Sequence, residues 1–349
     1  VSSIVANRLS KEKNIDICFL SLWEEKKETF FPLEKSIIRH QLFDKKISGT
    51  FHIFTYIRKI HSFVKKNKID ILVDIDGILD MYSIPALYFT KTKLVSWEQF
   101  NYYQNPYVNY RKYTRRWAAR KADAIVVLTD EDKEYYRTNL KIRNILQRIY
   151  NPMIVEQKKN FYNEESRNIL SAGRLTEQKG FDILIDVAKN VFERHPDWQW
   201  KIAGEGEDRV ALEEKIKQYN LEKHVILCGN VDNIEDYYQN SAMFVLTSRY
   251  EGFGLVLTEA KSMGLPCVSF KCPAGPAEII EHNVNGYLID CFDVEEMSDR
   301  ICDLICNKEK RIEFANNAMC NTKKFKIDHI VGQWGKLFNR LMEEKEYKH

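Results

Sequence analysis

The chain has 349 residues, 44% hydrophobic and 30% charged, which fits soluble globular structure and, at this length, two domains. No apolar run reaches the ~18 residues of a membrane span, and no signal-peptide pattern opens the chain, so a cytoplasmic protein is expected. The formal charge of +3 conceals an asymmetry: residues 1–150 carry 27 Lys and Arg against 17 Asp and Glu, residues 151–349 carry 26 against 33.

Residues 1–13 (VSSIVANRLSKEK) read as a helix with Ile4, Val5 and Leu9 on one face, feeding a strand over 15–22. A helix in that position normally follows an earlier strand, so a strand and loop upstream of Val1 are expected. Residues 51–64 repeat apolar side chains at helical spacing, and the strand IDILVDI follows. Then come the strand LVSW, the basic segment 111–121, the strand DAIVVLT and a helix after Asp130. Pro152 forces Asn151 towards an extended conformation, which makes this dipeptide the candidate hinge.

The second half alternates more cleanly. Strands NILSAG, WQWKIAG, VILCG, MFVLTS, CVSF and GYLI are separated by helices over 181–194, 209–219, 234–239, 255–263 and 277–281. Six strands with intervening helices predict a parallel, doubly wound sheet, whose ligands lie beyond the carboxyl ends of its strands. After residue 293 the chain reads as helical, and its last helix, from 328 to 346, is long enough to cross back onto the first domain. Domains are therefore expected at 1–150 and 151–326, with a closing helical segment over 327–349.

One stretch concentrates the chemistry: RYEGFGLVLTEAKSM, 249–263. Gly252 and Gly254 allow a tight turn and a close backbone approach, so the first N–H groups of the following helix can face an anion such as a diphosphate. Glu251 stands at the mouth of the turn and Glu259 about one turn inside the helix, within reach of sugar or ribose hydroxyls. Alone, the same spelling suits an ordinary buried turn with acidic residues near a helix N-terminus. A second loop, GRLTEQKG, sets Arg174 and Lys179 at a strand's carboxyl end, a fork and a point charge that together neutralise a diphosphate. Alone, that loop suits a solvated charged surface. The loops AGEGEDR and GNVDN should share the same rim.

With those pieces assembled, the chain resembles a retaining glycosyltransferase of the GT-B fold, in family 4 (glycosyl transferases group 1). The matching segments are SAGRLTEQKGFD, WKIAGEGED, the block from GNVDN to CVSF, and PAGPAEIIEHNVNGYLI. The likeness is nearest to capsule and O-antigen (lipopolysaccharide) transferases. It implies two Rossmann-like α/β domains with parallel sheets facing across a cleft, the first binding the acceptor and the second the nucleotide sugar. Carried over position by position, it makes Arg174 and Lys179 ligands of the donor diphosphate, with Gly173 beside them. Glu251 would touch the transferred sugar, and Gly252, Phe253, Gly254 and Leu255 would lie along it, the last three offering backbone N–H groups. Glu259 would hold the ribose, and Val231 would meet the base through its backbone. The resemblance implies a UDP-sugar donor, with a GDP-sugar as the second choice, and no metal or other cofactor. It also implies front-side displacement in which a leaving phosphate oxygen helps accept the acceptor's proton.

Two departures stand out. The family's first glycine-rich loop would lie upstream of Val1, and SWEQFN carries Gln99 where relatives have His. An amide still donates a hydrogen bond to a sugar, but it cannot carry a proton. That leaves Gln99 as a candidate sugar or acceptor contact and Glu98 as structural. The pair Asp74 and Asp76 spells DxD at the end of a first-half strand, away from the glycine turn, so a structural role is expected over metal binding.

The basic first half carries no nucleic-acid-binding signature, so an anionic membrane lipid or a phosphorylated acceptor is the expected partner of its charge; with the resemblance, the expected acceptor is a lipid-linked glycan and the expected place the cytoplasmic face of the inner membrane. A merely solvated surface accounts for the charge as well. The tyrosine-rich segment 102–121 suits an acceptor sugar, a membrane surface or a plain surface helix. Eight cysteines at irregular spacing read as free thiols. The competing functions are a nucleotide-sugar 2-epimerase on the same fold, and a non-catalytic subunit that binds donor without releasing UDP.

Overall fold

The computed structural model describes residues 1–24, 32–49, 51–104, 109–153 and 162–346, and these divide into two compact units, Val1–Pro152 with Lys324–His349, and Met153–Lys323. Unit 1 opens with α1 (Ser2–Leu9), β1 (Cys18–Trp23), β2 (Ile38–Phe43), α2 (Ile53–Lys66), β3 (Ile71–Ile75) and α3 (Asp80–Ala86). It continues with β4 (Lys93–Trp97), α4 (Asn109–Lys121), β5 (Ala124–Val127), α5 (Asp130–Asn139) and β6 (Ile145–Arg148). β1 and β2 pair in parallel, and β3 to β6 form a second parallel sheet in chain order.

The first helix is shorter than residues 1–13 suggest. Leu9 is its last buried residue, and Ser10, whose hydroxyl donates to the Asn7 carbonyl, begins a polar turn with nothing to bury. The strand expected at 15–22 starts only at Cys18. Part of the segment 102–121, residues 105–108, lies outside the described residues, as do 347–349 at the closing helix.

Unit 2 contains β7 (Asn168–Ala172), α6 (Phe181–Arg194), β8 (Gln199–Ala203), α7 (Arg209–Gln218), β9 (Val225–Gly229) and α8 (Ile234–Gln239). β10 (Met243–Leu246), α9 (Leu255–Ser262), β11 (Cys267–Phe270), α10 (Pro276–Ile279), β12 (Gly286–Ile289), α11 (Val294–Cys306) and α12 (Lys308–Asn316) follow. The six strands are all parallel in the order β12-β11-β10-β7-β8-β9. β10 and β11 are buried at every position, because helices cover both faces. α6 turns Leu184, Val187, Ala188 and Val191 inward, and each large side chain so buried contributes roughly 1.5–3 kcal/mol. Trp200 lies fully buried because its indole N–H finds the Ser171 hydroxyl at 3.0 Å.

After a 3₁₀ turn at Thr322–Phe325, α13 (Ile327–Glu346) belongs to unit 1. There Trp334 packs edge-on against Trp97 at 4.8 Å, and Arg8 of α1 donates to Asp328 at 2.8 Å.

Candidate active site

The strand order of unit 2 reverses between β7 and β10, so the chain leaves these neighbours in opposite directions and opens a crevice at their carboxyl ends. β7 runs into Gly173, Arg174 and a 3₁₀ turn at Glu177–Lys179; β10 runs into Thr247, Ser248 and the glycine turn before α9. The two loops are sewn together. The Arg249 N–H donates to the Gln178 carbonyl at 2.8 Å, the Thr247 hydroxyl to the Lys179 carbonyl at 3.2 Å, and the Gln178 amide to the Tyr250 carbonyl at 3.1 Å. The Arg249 guanidinium forks the Asp182 carboxylate at 2.8 and 2.7 Å and holds that carboxyl below its ordinary pKa. Gly180 makes this approach possible, since a Cβ there would lie 2.2 Å from the Thr247 carbonyl oxygen and φ is +64°.

At the centre, Lys179 Nζ donates to Glu251 Oε1 at 2.7 Å, and the Ser248 hydroxyl donates to the same oxygen at 2.6 Å. Glu251 is 5% exposed. With Oε1 doubly occupied, Oε2 is the oxygen left for a ligand hydroxyl. The Lys179 stem passes over Gly173, where an added Cβ would sit 3.1 Å from Cε. Arg174 is exposed and makes no ion pair among the described residues, so its guanidinium is available to an anion.

Beyond Gly252 the Phe253 ring is buried, and Gly254 takes a left-handed conformation (φ +88°, ψ +50°) that a residue with a Cβ adopts only under strain. It launches α9 at Leu255 with no side-chain cap, which leaves the helix's positive end for a ligand. Glu259 lies one turn further on. The Tyr238 hydroxyl donates to its Oε2 at 3.0 Å, while burial pushes its carboxyl above the ordinary value against that hydrogen bond and the Lys179 charge. Tyr238 belongs to α8, which begins just after the half-buried Val231 in the loop leaving β9. The structure thus brings Arg174, Lys179, Glu251, Gly254, Leu255 and Glu259 to one rim of one sheet, with Val231 on the loop two strands further along.

Sequence reading missed Ser248, Tyr238 and the Arg249–Asp182 fork. Ser248 stands three positions before Glu251 and was open to suspicion; the others depend on partners 21 and 67 positions away.

Gln99 belongs to unit 1, just past β4, and its Nε2 is buried without a hydrogen-bond partner among the described residues. Glu98 is occupied structurally: Arg115 donates to it at 3.2 Å and to the Asn101 carbonyl at 3.1 Å. The DxD residues are likewise engaged. Asp74 accepts from the Ser83 hydroxyl at 2.9 Å, and Asp76 is forked by Arg111 at 2.6 and 2.8 Å.

The family profile described as "Glycosyl transferases group 1" matches residues 154–319. An uncharacterized glycosyltransferase of Haemophilus influenzae is 31% identical over 96% of this chain and 94% of its own length. The amylovoran biosynthesis glycosyltransferase AmsD of Erwinia amylovora is 29% identical over 97% and 95%. A Campylobacter jejuni alpha-1,4-N-acetyl-D-galactosaminyltransferase, whose name specifies a diphospho-undecaprenol-linked glycan, is 28% identical over 95% and 92%. Among solved structures, S. aureus TarM in complex with fondaparinux, alpha-GlcNAc-glycerol and UDP superposes with a TM-score of 0.72 at 24% identity, over 81% of this chain and 59% of that one.

Proposed function

This chain belongs to the glycosyl transferases group 1, the retaining family-4 glycosyltransferases of GT-B fold, and we propose that it moves a sugar from a UDP-sugar to a hydroxyl of a lipid-linked oligosaccharide in surface-polysaccharide biosynthesis. The observation that carries the reading is the Lys179–Glu251 pair at the strand-order reversal, next to the uncapped N-terminus of α9. It sets a cation and a helix dipole, which suit a diphosphate, within one hydrogen bond of a carboxylate, which suits a sugar hydroxyl. The names of the E. amylovora and C. jejuni relatives support the pathway and the acceptor class, and the UDP in the TarM complex supports the donor.

In this reading Arg174, Lys179 and the N–H groups of Gly254 and Leu255 take up the charge that grows on the diphosphate as its bond to the sugar's anomeric carbon breaks. The acceptor oxygen forms its bond to that carbon on the same face. Its proton passes to a phosphate oxygen of the leaving UDP, so no protein base and no metal ion is required. Glu251 Oε2 orients the sugar, Glu259 holds the ribose, the Val231 backbone meets the base, and Gln99 donates to a sugar or acceptor hydroxyl. The enzyme works at the cytoplasmic face of the inner membrane, against anionic lipid. Among the described residues no helix is long and apolar enough to cross that membrane.

A panel of UDP- and GDP-sugars incubated with the chain, with free nucleotide as the readout, tests the reading. Slow release of UDP from at least one UDP-sugar is expected. Tight UDP binding with no release from any donor would point instead to a non-catalytic binding subunit, and epimerised free sugar to an epimerase.

A further inference from the structure

Unit 1 carries an apolar groove of about 470 Å³ between α2, α3 and α4, far in sequence from the donor loops. Its walls are Ile53 and Ile57 of α2, Met81 and Pro85 of α3, and Tyr113 and Trp117 of α4. The two helices that flank it also share a charge pattern. Neither α2 (IFTYIRKIHSFVKK) nor α4 (NYRKYTRRWAARK) contains an acidic residue. On α4 the inward cations are already used, Arg111 on Asp76 and Arg115 on Glu98, whereas Lys112, Arg116, Arg120 and Lys121 are exposed. Tyr113 is 67% exposed between them, and Phe54, in the first turn of α2, is 79% exposed.

The division of labour is physical. Arg111 and Arg115 fasten α4 to the sheet, so the cations of its outer face are held in place without partners of opposite sign on their own helix. Rings beside cations around an apolar slot match the chemistry of a bilayer interface, where aromatic bodies sit at headgroup level and long basic stems reach phosphate. Nucleic acid would match the cations and leave the slot unexplained.

We propose that this face is the chain's membrane-docking surface: Lys112, Arg116 and Arg120 engage the phosphates of anionic phospholipid, and one acyl chain enters the groove between Ile57, Pro85 and Trp117. The proposal rests on the reading of the enzyme as one that works at an anionic membrane, and it names the surface responsible.

Co-sedimentation with phosphatidylcholine vesicles, with and without phosphatidylglycerol, tests it on the full chain. Binding is expected only to the vesicles that contain phosphatidylglycerol and should weaken with salt. Each cation lost near such a surface costs about fivefold in partitioning, so the Arg116→Gln, Arg120→Gln double variant should bind at least about twentyfold more weakly. Vesicles with brominated acyl chains should quench part of the tryptophan fluorescence of the wild type, and Trp117→Phe should remove that part. UDP affinity should be the same in all three proteins, since none of these residues belongs to the donor site, and unchanged hydrogen exchange on peptides from β4 and β5 shows that unit 1 of each variant is folded. Wild-type and double-variant proteins that pellet equally would overturn the assignment of this face, and so would quenching that survives in Trp117→Phe. Failure of the wild type to pellet with phosphatidylglycerol while it still releases UDP from a UDP-sugar would overturn the membrane surface and leave the transferase standing. Pelleting without any UDP release would leave the surface and remove the transferase reading.

Discussion

Replacing Lys179 with Met removes a charge from a pair whose side chains are 14% and 6% exposed, and leaves the Glu251 carboxylate, among the described residues, with the Ser248 hydroxyl as its side-chain partner. Breaking a buried ion pair from one side costs ~3–5 kcal/mol, because the remaining charge is desolvated without compensation. Ser248 still donates, so a loss near ~3 kcal/mol is expected. Neutralising both partners, Lys179→Met with Glu251→Gln, should restore at least ~1.5 kcal/mol of it, since the amide needs no counter-ion. Hydrogen exchange read on peptides from β7 and β10 reports the opening free energy of unit 2 alone, which a two-unit chain requires. If the two substitutions add to within ~0.5 kcal/mol, Lys179 and Glu251 do not form one energetic unit and the proposed link between phosphate and sugar ends of the site fails.

Arg174→Ala should weaken UDP binding by ~1.5–3 kcal/mol in calorimetry with no change in stability, because the side chain is exposed and makes no ion pair among the described residues; unaltered affinity would remove it from the site. Glu251→Gln should spare UDP affinity and cut turnover, whereas Glu259→Ala should weaken UDP itself, and the reverse pattern would mean the two roles are exchanged. Stability should also depend on pH through Asp132, a buried carboxyl pushed up to about 7 by desolvation. Its folded pKa lies above its unfolded value, so its contribution is full in acid and is lost as pH rises through 7. Between pH 6 and 8 that single group should cost unit 1 ~1.4 kcal/mol, and an unchanged slope in Asp132→Asn would show that another group is responsible.

The second unit was the more legible half because its sheet is covered on both faces. β9, β11 and β12 are short apolar runs, and α6 keeps its apolar side chains on one stripe, so their limits could be read to the residue. β2 and β6 escaped because burial does not mark them. IRHQLF buries only Leu42, and ILQR is half-exposed throughout, as expected of strands at the edges of their sheets. α3 escaped because it is seven residues long with Pro85 inside it. At the candidate site, Glu251, Gly254 and Glu259 were legible because glycines and carboxylates at one helix start form a local pattern. The Arg249–Asp182 fork was not, since 67 residues separate its halves and only the adjacency of β7 and β10 joins them. Charge alone likewise could not say which cations of α4 were free; the structure separates Arg111 and Arg115, turned to the sheet, from those turned outward.

The most direct measurement is a crystal structure of the chain with UDP bound. The diphosphate should lie within hydrogen-bond reach of Lys179 Nζ, the Arg174 guanidinium and the Leu255 N–H, with the ribose on Glu259 and the base beside Val231. UDP seated at any other edge of the sheet, or with its ribose out of reach of Glu259, would contradict the account.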